Sequence, residues 1–236
     1  VAALTEAGLL ATWEAALGQG PVRRALALAT AGGAEPATVA DLSVGRREEF
    51  VLALRERCFG ATFSCAVTCP SCEEELELEL GLDDVRAAPP PDGENRITAH
   101  GFEVEFRPIT SRDLLAVRRD LPDARRRLLE RCVLSARRRG RKARKVPDEV
   151  LDAVAAELST RDPQADVRLD LDCASCGHEW RSPFDVTAFL WAEMEAYARR
   201  LLHEVHALAT VYGWSEREVL AVSPARRRCY LEMAGQ

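Results

Sequence analysis

Apolar residues recur at helical spacing over residues 4–17, and Gly18, Gly20 and Pro21 break the run before a second helical pattern over 22–30. After a loop at 31–36, Asp41 or Ser43 is placed to cap a third helix. It presents Phe50, Leu52, Leu54 and Cys58 among charged residues and stops at Gly60. The period then changes from helical to two. Leu76, Leu78 and Leu80 alternate with Glu75, Glu77 and Glu79, which predicts a strand with one half-buried face and an acidic outer face. A linker containing Pro89, Pro90 and Pro91 follows, then a hairpin of 96–99 and 102–106 around His100 and Gly101.

Thr110 or Ser111 starts two further predicted helices, 112–120 and 122–134, with Pro122 suited to a first turn, where its missing N–H has no helical partner. Residues 137–145 hold seven basic side chains in nine positions and read as a solvated, mobile loop. Pro147 opens a helix that runs through Leu158, and Asp162-Pro163 closes the region. Val167, Leu169 and Leu171 then alternate with Arg168, Asp170 and Asp172, a second strand. A long helix over 186–211 carries Phe189, Leu190, Met194, Tyr197, Leu201, Leu202, Val205 and Leu208 on a broad apolar face and ends at Gly213. Ser215 with Glu218 forms a capping box for a short helix, and Ser223-Pro224 begins the last one. Arg226, Arg227 and Arg228 read as cations late in that helix, where they favour its dipole. The expected fold is α+β and mostly helical. Its predicted segments are 1–60 helical, 61–86 with 164–186 as two halves of one β unit, 87–163 inserted, and 187–236 helical.

Composition changes this picture in two ways. A hydrophobic share of 47% in 236 residues suffices for a sizeable core in one large or two small domains. No run of about 18 uncharged apolar residues occurs, nor a basic segment followed by an apolar run and a cleavage site, so a cytoplasmic location is expected. A net charge of -6 argues against a surface given over wholly to nucleic acid and makes proteins the expected partners. The alternative is a zinc-ribbon protein that binds nucleic acid through 137–145, although no aromatic residue interleaves that run to stack on bases.

The candidate chemistry lies in the cysteines. Cys69-Pro70-Ser71-Cys72 and Cys173-Ala174-Ser175-Cys176-Gly177 are two Cys-x-x-Cys turns, each joined directly to a predicted strand. Such a turn sets two sulfurs on one side, and two turns supply the four thiolates that hold zinc tetrahedrally at about 2.3 Å. Gly177 permits the backbone twist of a knuckle, whereas Glu73 stands at the equivalent place. About a hundred residues separate the pairs, but closure entropy grows only logarithmically with loop length. Structural Zn2+ on Cys69, Cys72, Cys173 and Cys176 is therefore expected, forming a split zinc ribbon, with Cys65 or His178 as possible replacement ligands. A redox pair would want a helix N-terminus to lower its thiol pKa, and both pairs adjoin strands. Merely buried cysteines are the bland alternative. His203 and His206 read as packing or surface histidines, and Asp170, Asp172 and Asp185 have no base beside them. Trp191, Tyr197, Tyr212 and Trp214 serve either the core or a partner. No phosphate loop or activated nucleophile appears, so no catalytic residue is expected.

Four stretches carry a resemblance: Phe106-Arg107-Pro108-Ile109-Thr110, Asp162-Pro163-Gln164-Ala165-Asp166 leading into Cys173, Trp180 to Trp191, and Tyr212-Gly213-Trp214 to Tyr230. With the cysteine hairpins they make the C-terminal two-thirds similar to zinc-ribbon proteins of phage tail and contractile injection clusters, in particular the baseplate hub assembly proteins of T-even bacteriophages. The resemblance implies a non-enzymatic baseplate part or assembly factor that contacts hub, spike or wedge proteins in the bacterial cytoplasm or within a tail-like particle. The family's cysteine pairs map onto Cys69, Cys72, Cys173 and Cys176. Whether these residues hold a metal rests on this chain's own spacing.

Overall fold

Thr5 opens helix α1 (Glu6–Ala16) by accepting the Gly8 N–H on its hydroxyl at 3.1 Å. Helix α2 (Pro21–Ala31) begins with Pro21 at its first position, and a 3-10 turn, Val39–Asp41, leads to helix α3 (Val44–Phe59). Ser43 caps α3, while Asp41 pairs with Arg112. The start of α3 is tied to a distant part of the chain. The Asp162 carboxylate accepts the Ser43 hydroxyl and the Gly45 N–H, each at 3.0 Å, and any Cβ at residue 45 would collide with it. The computed structural model describes residues 4–118 and 120–235.

Strands β1 (Thr62–Thr68) and β2 (Glu75–Gly81) form an antiparallel hairpin in which Leu76, Leu78 and Leu80 are half-buried and Glu75, Glu77 and Glu79 exposed. A short helix α4 (Leu82–Val85) leads toward β3 (Arg96–Ala99) and β4 (Phe102–Phe106), joined through His100 and Gly101 at φ 51° and 76°. Two successive positive φ values are what a two-residue hairpin turn of the primed type demands. Thr110 caps helix α5 (Ser111–Ala116).

Here the structure departs from the predicted helices. Helix α6 (Ala124–Cys132) starts two residues after Pro122 and ends before Leu134, because Val133 to Arg138 become strand β5 (Val133–Arg138). Strand β5 lies beside β4, with Phe106 opposite Val133 and Val104 opposite Ala136. Backbone pairing and burial against β4 outweigh the helical periodicity of the preceding turn. The basic run is not a mobile loop either. Arg139 and Gly140, at φ 50° and 73°, turn β5 back into β6 (Arg141–Lys142), completing a sheet of order β3-β4-β5-β6. Assigning these residues to strands leaves the α+β chain about half helical, less than the pattern suggested.

Helix α7 (Asp148–Arg161) and a 3-10 turn, Pro163–Ala165, precede the hairpin of β7 (Arg168–Asp172) and β8 (Glu179–Pro183). Asp185 caps the long helix α8 (Val186–Tyr212), which Gly213 ends in the left-handed conformation. Helices α9 (Glu216–Ala221) and α10 (Pro224–Met233) finish the chain, the first with the Ser215/Glu218 capping box. Arg226, Arg227 and Arg228 occupy the first turns of α10, not its end, so the dipole reading does not apply. Arg227 is instead buried against carboxylates of α1 and α8.

Two hydrophobic clusters result. One joins α1, α2, α3, Phe63 of β1, Leu169 of β7 and the buried face of α8. The other packs Phe102, Val104, Phe106 and Ala136 of the four-stranded sheet against α6 and α7. Among the described residues, no helix is long and apolar enough to cross a membrane.

Candidate metal centre

Each Cys-x-x-Cys turn closes a hairpin tip by the same backbone pattern. In the first, the Cys69 N–H donates to the Glu74 carbonyl at 2.8 Å and the Glu73 N–H to the Cys69 carbonyl at 3.0 Å. In the second, the Cys173 N–H donates to the His178 carbonyl at 2.9 Å and the Gly177 N–H to the Cys173 carbonyl at 2.7 Å. Both loops need one residue at positive φ, which Glu73 and Gly177 supply at 60° and 68°. The glycine adopts it without a Cβ clash, and Glu73 bears the strain.

The two tips meet. Cys69 Sγ lies 3.8 Å from Cys176 Sγ and Cys72 Sγ lies 3.6 Å from Cys173 Sγ, and the four sulfurs all fall within 4.8 Å of one another. The edge of a tetrahedron around an ion bound at 2.3 Å is about 3.8 Å, so the donor set matches four-coordinate binding. Cys69 and Cys173 are buried while Cys72 and Cys176 face solvent. These four cysteines could hold a metal ion.

The sulfurs also constrain one another electrically. Burial raises the Cys69 thiol pKa, but N–H groups of Cys72 and Ser71 aimed at its sulfur prevail and bring it down to about 7. Cys72 has the help of the Glu74 N–H, yet the crowding sulfurs of Cys176, Cys173 and Cys69 push it up to about 12. One thiolate thus forms readily and opposes ionisation of its neighbours, an opposition that a cation in the middle removes.

The hairpin roots are held as firmly as their tips. Phe63 on β1 packs edge-on to Phe184, just after β8, with ring centres 5.7 Å apart, and against Phe189 of α8 at 5.3 Å. Arg55 of α3 lies with its guanidinium 3.9 Å above the Phe63 ring, pairs with Glu193 of α8 at 2.8 Å and donates to the Gly60 carbonyl at 2.6 Å. Its side chain is 2% exposed, so the cation is taken up wholly by this triangle of helix, helix and strand. Gln164 adds a latch between the segments that lead to the tips. It accepts the Ala87 N–H at 2.8 Å and donates to the Val85 carbonyl at 3.1 Å.

Of the other candidates, Cys65 and His178 lie outside the cluster, and His178 stacks on Trp180. Asp170 and Asp172 are exposed on β7, with Asp170 paired to Arg181 across the hairpin. His203 and His206 are exposed on α8. Trp191 belongs to the core, whereas Tyr212, Trp214 and Tyr230 form their own aromatic cluster near the C-terminus. Arg55, Gln164 and Arg227 escaped the sequence reading because each has a partner 77 to 221 residues away. Only the apolar setting of Arg55, between Leu54 and the Phe63 strand, hinted at burial.

A family model described as T4 bacteriophage base plate protein matches residues 33–191. That span, more than half of the chain, includes α3, all four clustered cysteines and the motifs at 106–110, 162–166 and 180–191, and it leaves out the stretch 212–230. No curated protein and no solved structure matches the chain.

Proposed function

Because the chain belongs to the T4 bacteriophage base plate protein family, we propose that it is a non-enzymatic assembly or structural component of the baseplate of a phage tail-like contractile injection system. Its partners are other tail or baseplate proteins, among them hub, spike or wedge components, met in the cytoplasm of the producing bacterial cell or within the particle. Cys69, Cys72, Cys173 and Cys176 bind a structural Zn2+, and the two hairpins form a split zinc ribbon around segment 87–163. The separate hydrophobic cluster within that segment supports reading it as an insertion with its own core.

The observation that carries the zinc reading is the convergence of four sulfurs from hairpins 101 and 107 residues apart into one tetrahedral-sized cluster. Soft thiolates in a tetrahedral array select zinc over oxygen-loving cations such as Mg2+ or Ca2+. Four protein ligands fill the coordination sphere and leave no place for substrate, so the ion's contribution is to folding and rigidity. A rigid, two-hairpin platform suits a part that works by contact.

Metal analysis of the chain purified without added metal tests the first half: one zinc per chain is expected, lost in a Cys72→Ser/Cys176→Ser variant. Co-purification from cells producing tail particles tests the second. Absence of every tail component from the captured material, with the chain itself folded, overturns the baseplate role.

A further inference from the structure

Five cations project from one short β-hairpin and two more follow it directly. Arg137, Arg138, Arg139, Arg141, Lys142, Arg144 and Lys145 are all exposed, and among the described residues none forms an ion pair. This is a departure from the rest of the chain, where most arginines have a carboxylate within 4 Å. It also occurs in a protein with more acidic than basic residues, 38 against 32. Glu103, directly across the ladder from Arg137, makes no ion pair with it.

The cations are held in place by the sheet. Ala136 is buried in the second hydrophobic cluster, the Ala143 N–H donates to the Ala136 carbonyl at 2.9 Å, and Arg137 and Arg138 face Lys142 and Arg141 across the ribbon. The Arg138 guanidinium sits 5.2 Å over the Phe102 ring. Ordering the backbone in advance lowers the entropy lost when such side chains engage a ligand.

We infer that the β5–β6 hairpin is a binding site for the phosphodiester backbone of nucleic acid, engaged without reading of bases. The chemistry of the tip separates this ligand from an acidic protein. From Arg137 to Lys142 every side chain is cationic, and the one residue without a side chain is Gly140. Protein interfaces draw their energy from aromatic anchors and single arginines desolvated among apolar contacts, and deplete lysine at their centres. A purely cationic ribbon has no such anchor, and its binding energy comes from displacing condensed counterions, which only a dense polyanion carries. Arginine makes up five of the seven, and its planar fork matches phosphate oxygens in pairs. No aromatic side chain projects from the tip to stack on a base, and the ribbon offers neither a recognition helix nor an Asn or Gln to fix a register on base edges, so phosphates are its main contact. The surrounding net charge of -6 confines the interaction to this ribbon and keeps it salt-sensitive.

Fluorescence anisotropy of the full chain with a labelled short duplex DNA tests the site. If about three of the seven cations engage phosphates together, log Kobs should fall against log[salt] with a slope of about -3 between about 50 and 200 mM salt. Replacing Arg137, Arg139, Arg141 and Lys142 by Gln should weaken binding at least about tenfold at the low-salt end and flatten the slope. The triple replacement Arg137→Lys/Arg139→Lys/Arg141→Lys should retain most of the binding, and the distant Arg199→Gln should leave it unchanged. Absence of salt-dependent binding by the wild-type chain overturns the inference, as does full binding by the Gln variant. Equal affinity for polyglutamate also overturns it, because the hairpin would then be answering to carboxylates. These outcomes are independent of the zinc and co-purification results.

Discussion

Asp113 collects more hydrogen bonds than any other carboxylate among the described residues of segment 87–163. Arg107 donates to it twice, at 2.6 and 2.9 Å, Arg131 once at 3.0 Å, and Thr110 through both its N–H and its hydroxyl. Burial alone would raise its pKa, but the Arg107 guanidinium and the Thr110 donors hold it far below the ordinary 3.8. A carboxyl whose folded pKa is depressed contributes stability that is complete above 3.8 and disappears as pH falls toward the folded value. Asp113→Asn should therefore cost roughly 2 kcal/mol at neutral pH, less than a fully buried pair because both arginines keep solvent contact. The variant should also lose part of the stability decline seen on acidification below that point. Urea titrations at several pH values measure both, and an unchanged pH slope would assign acid sensitivity to other carboxylates. Asp162 has the opposite sign. Its burial raises its pKa despite the Gly45 and Ser43 donors, so keeping it ionised at neutral pH costs stability and tightens the joint with α3 in return.

At the scale of elements, the β1–β2 and β7–β8 hairpins depend on one another. Beyond Phe63 and Leu169 their side chains are only half-buried, so the tips have little core of their own. Stripping metal with a chelator should speed amide exchange in both hairpins together and leave β4, β5 and α7, which share a different hydrophobic cluster, protected. Exchange by mass spectrometry reads this directly, and protection lost evenly across the chain would mean that the sulfurs stabilise more than the two hairpins. One strand of each hairpin was legible from alternation, since Leu76, Leu78 and Leu80 against three glutamates specify both a strand and its face. Strand β5 was not, because Leu128, Leu129 and Cys132 continue a helical stripe into Val133. What ends the helix there is the waiting edge of β4. The basic hairpin was hidden for the same reason, as its turn is an Arg-Gly pair set among cations that give no periodic signal.

Across the whole molecule, the first and last helices are locked to α8 by one buried cation. Arg227 donates to both Glu6 oxygens at 2.6 Å and to Glu204 at 2.9 Å, and the Tyr197 hydroxyl adds a bond to Glu6 at 2.7 Å. Burial and the neighbouring carboxylate together push Tyr197 up to about 12. Removing the cation strands two carboxylates, so Arg227→Met should destabilise the chain by about 3 kcal/mol. It should also expose α1 and α10 to protease before the rest. A variant as resistant as the wild type would show that the apolar contacts of α1 suffice. The sequence by itself determined most of the classes of element, the caps at Ser215 and Ser223, the two thiol pairs and the family likeness, because spacing and capping act over a few residues. Only the tertiary structure decided that the two thiol pairs share one centre, that 133–142 pairs as sheet, that Asp113 gathers two arginines, and that Arg55 and Arg227 find their carboxylates. Those outcomes depend on which surfaces pack together, from neighbouring elements to segments more than a hundred residues apart, and on burial strong enough to override local preference.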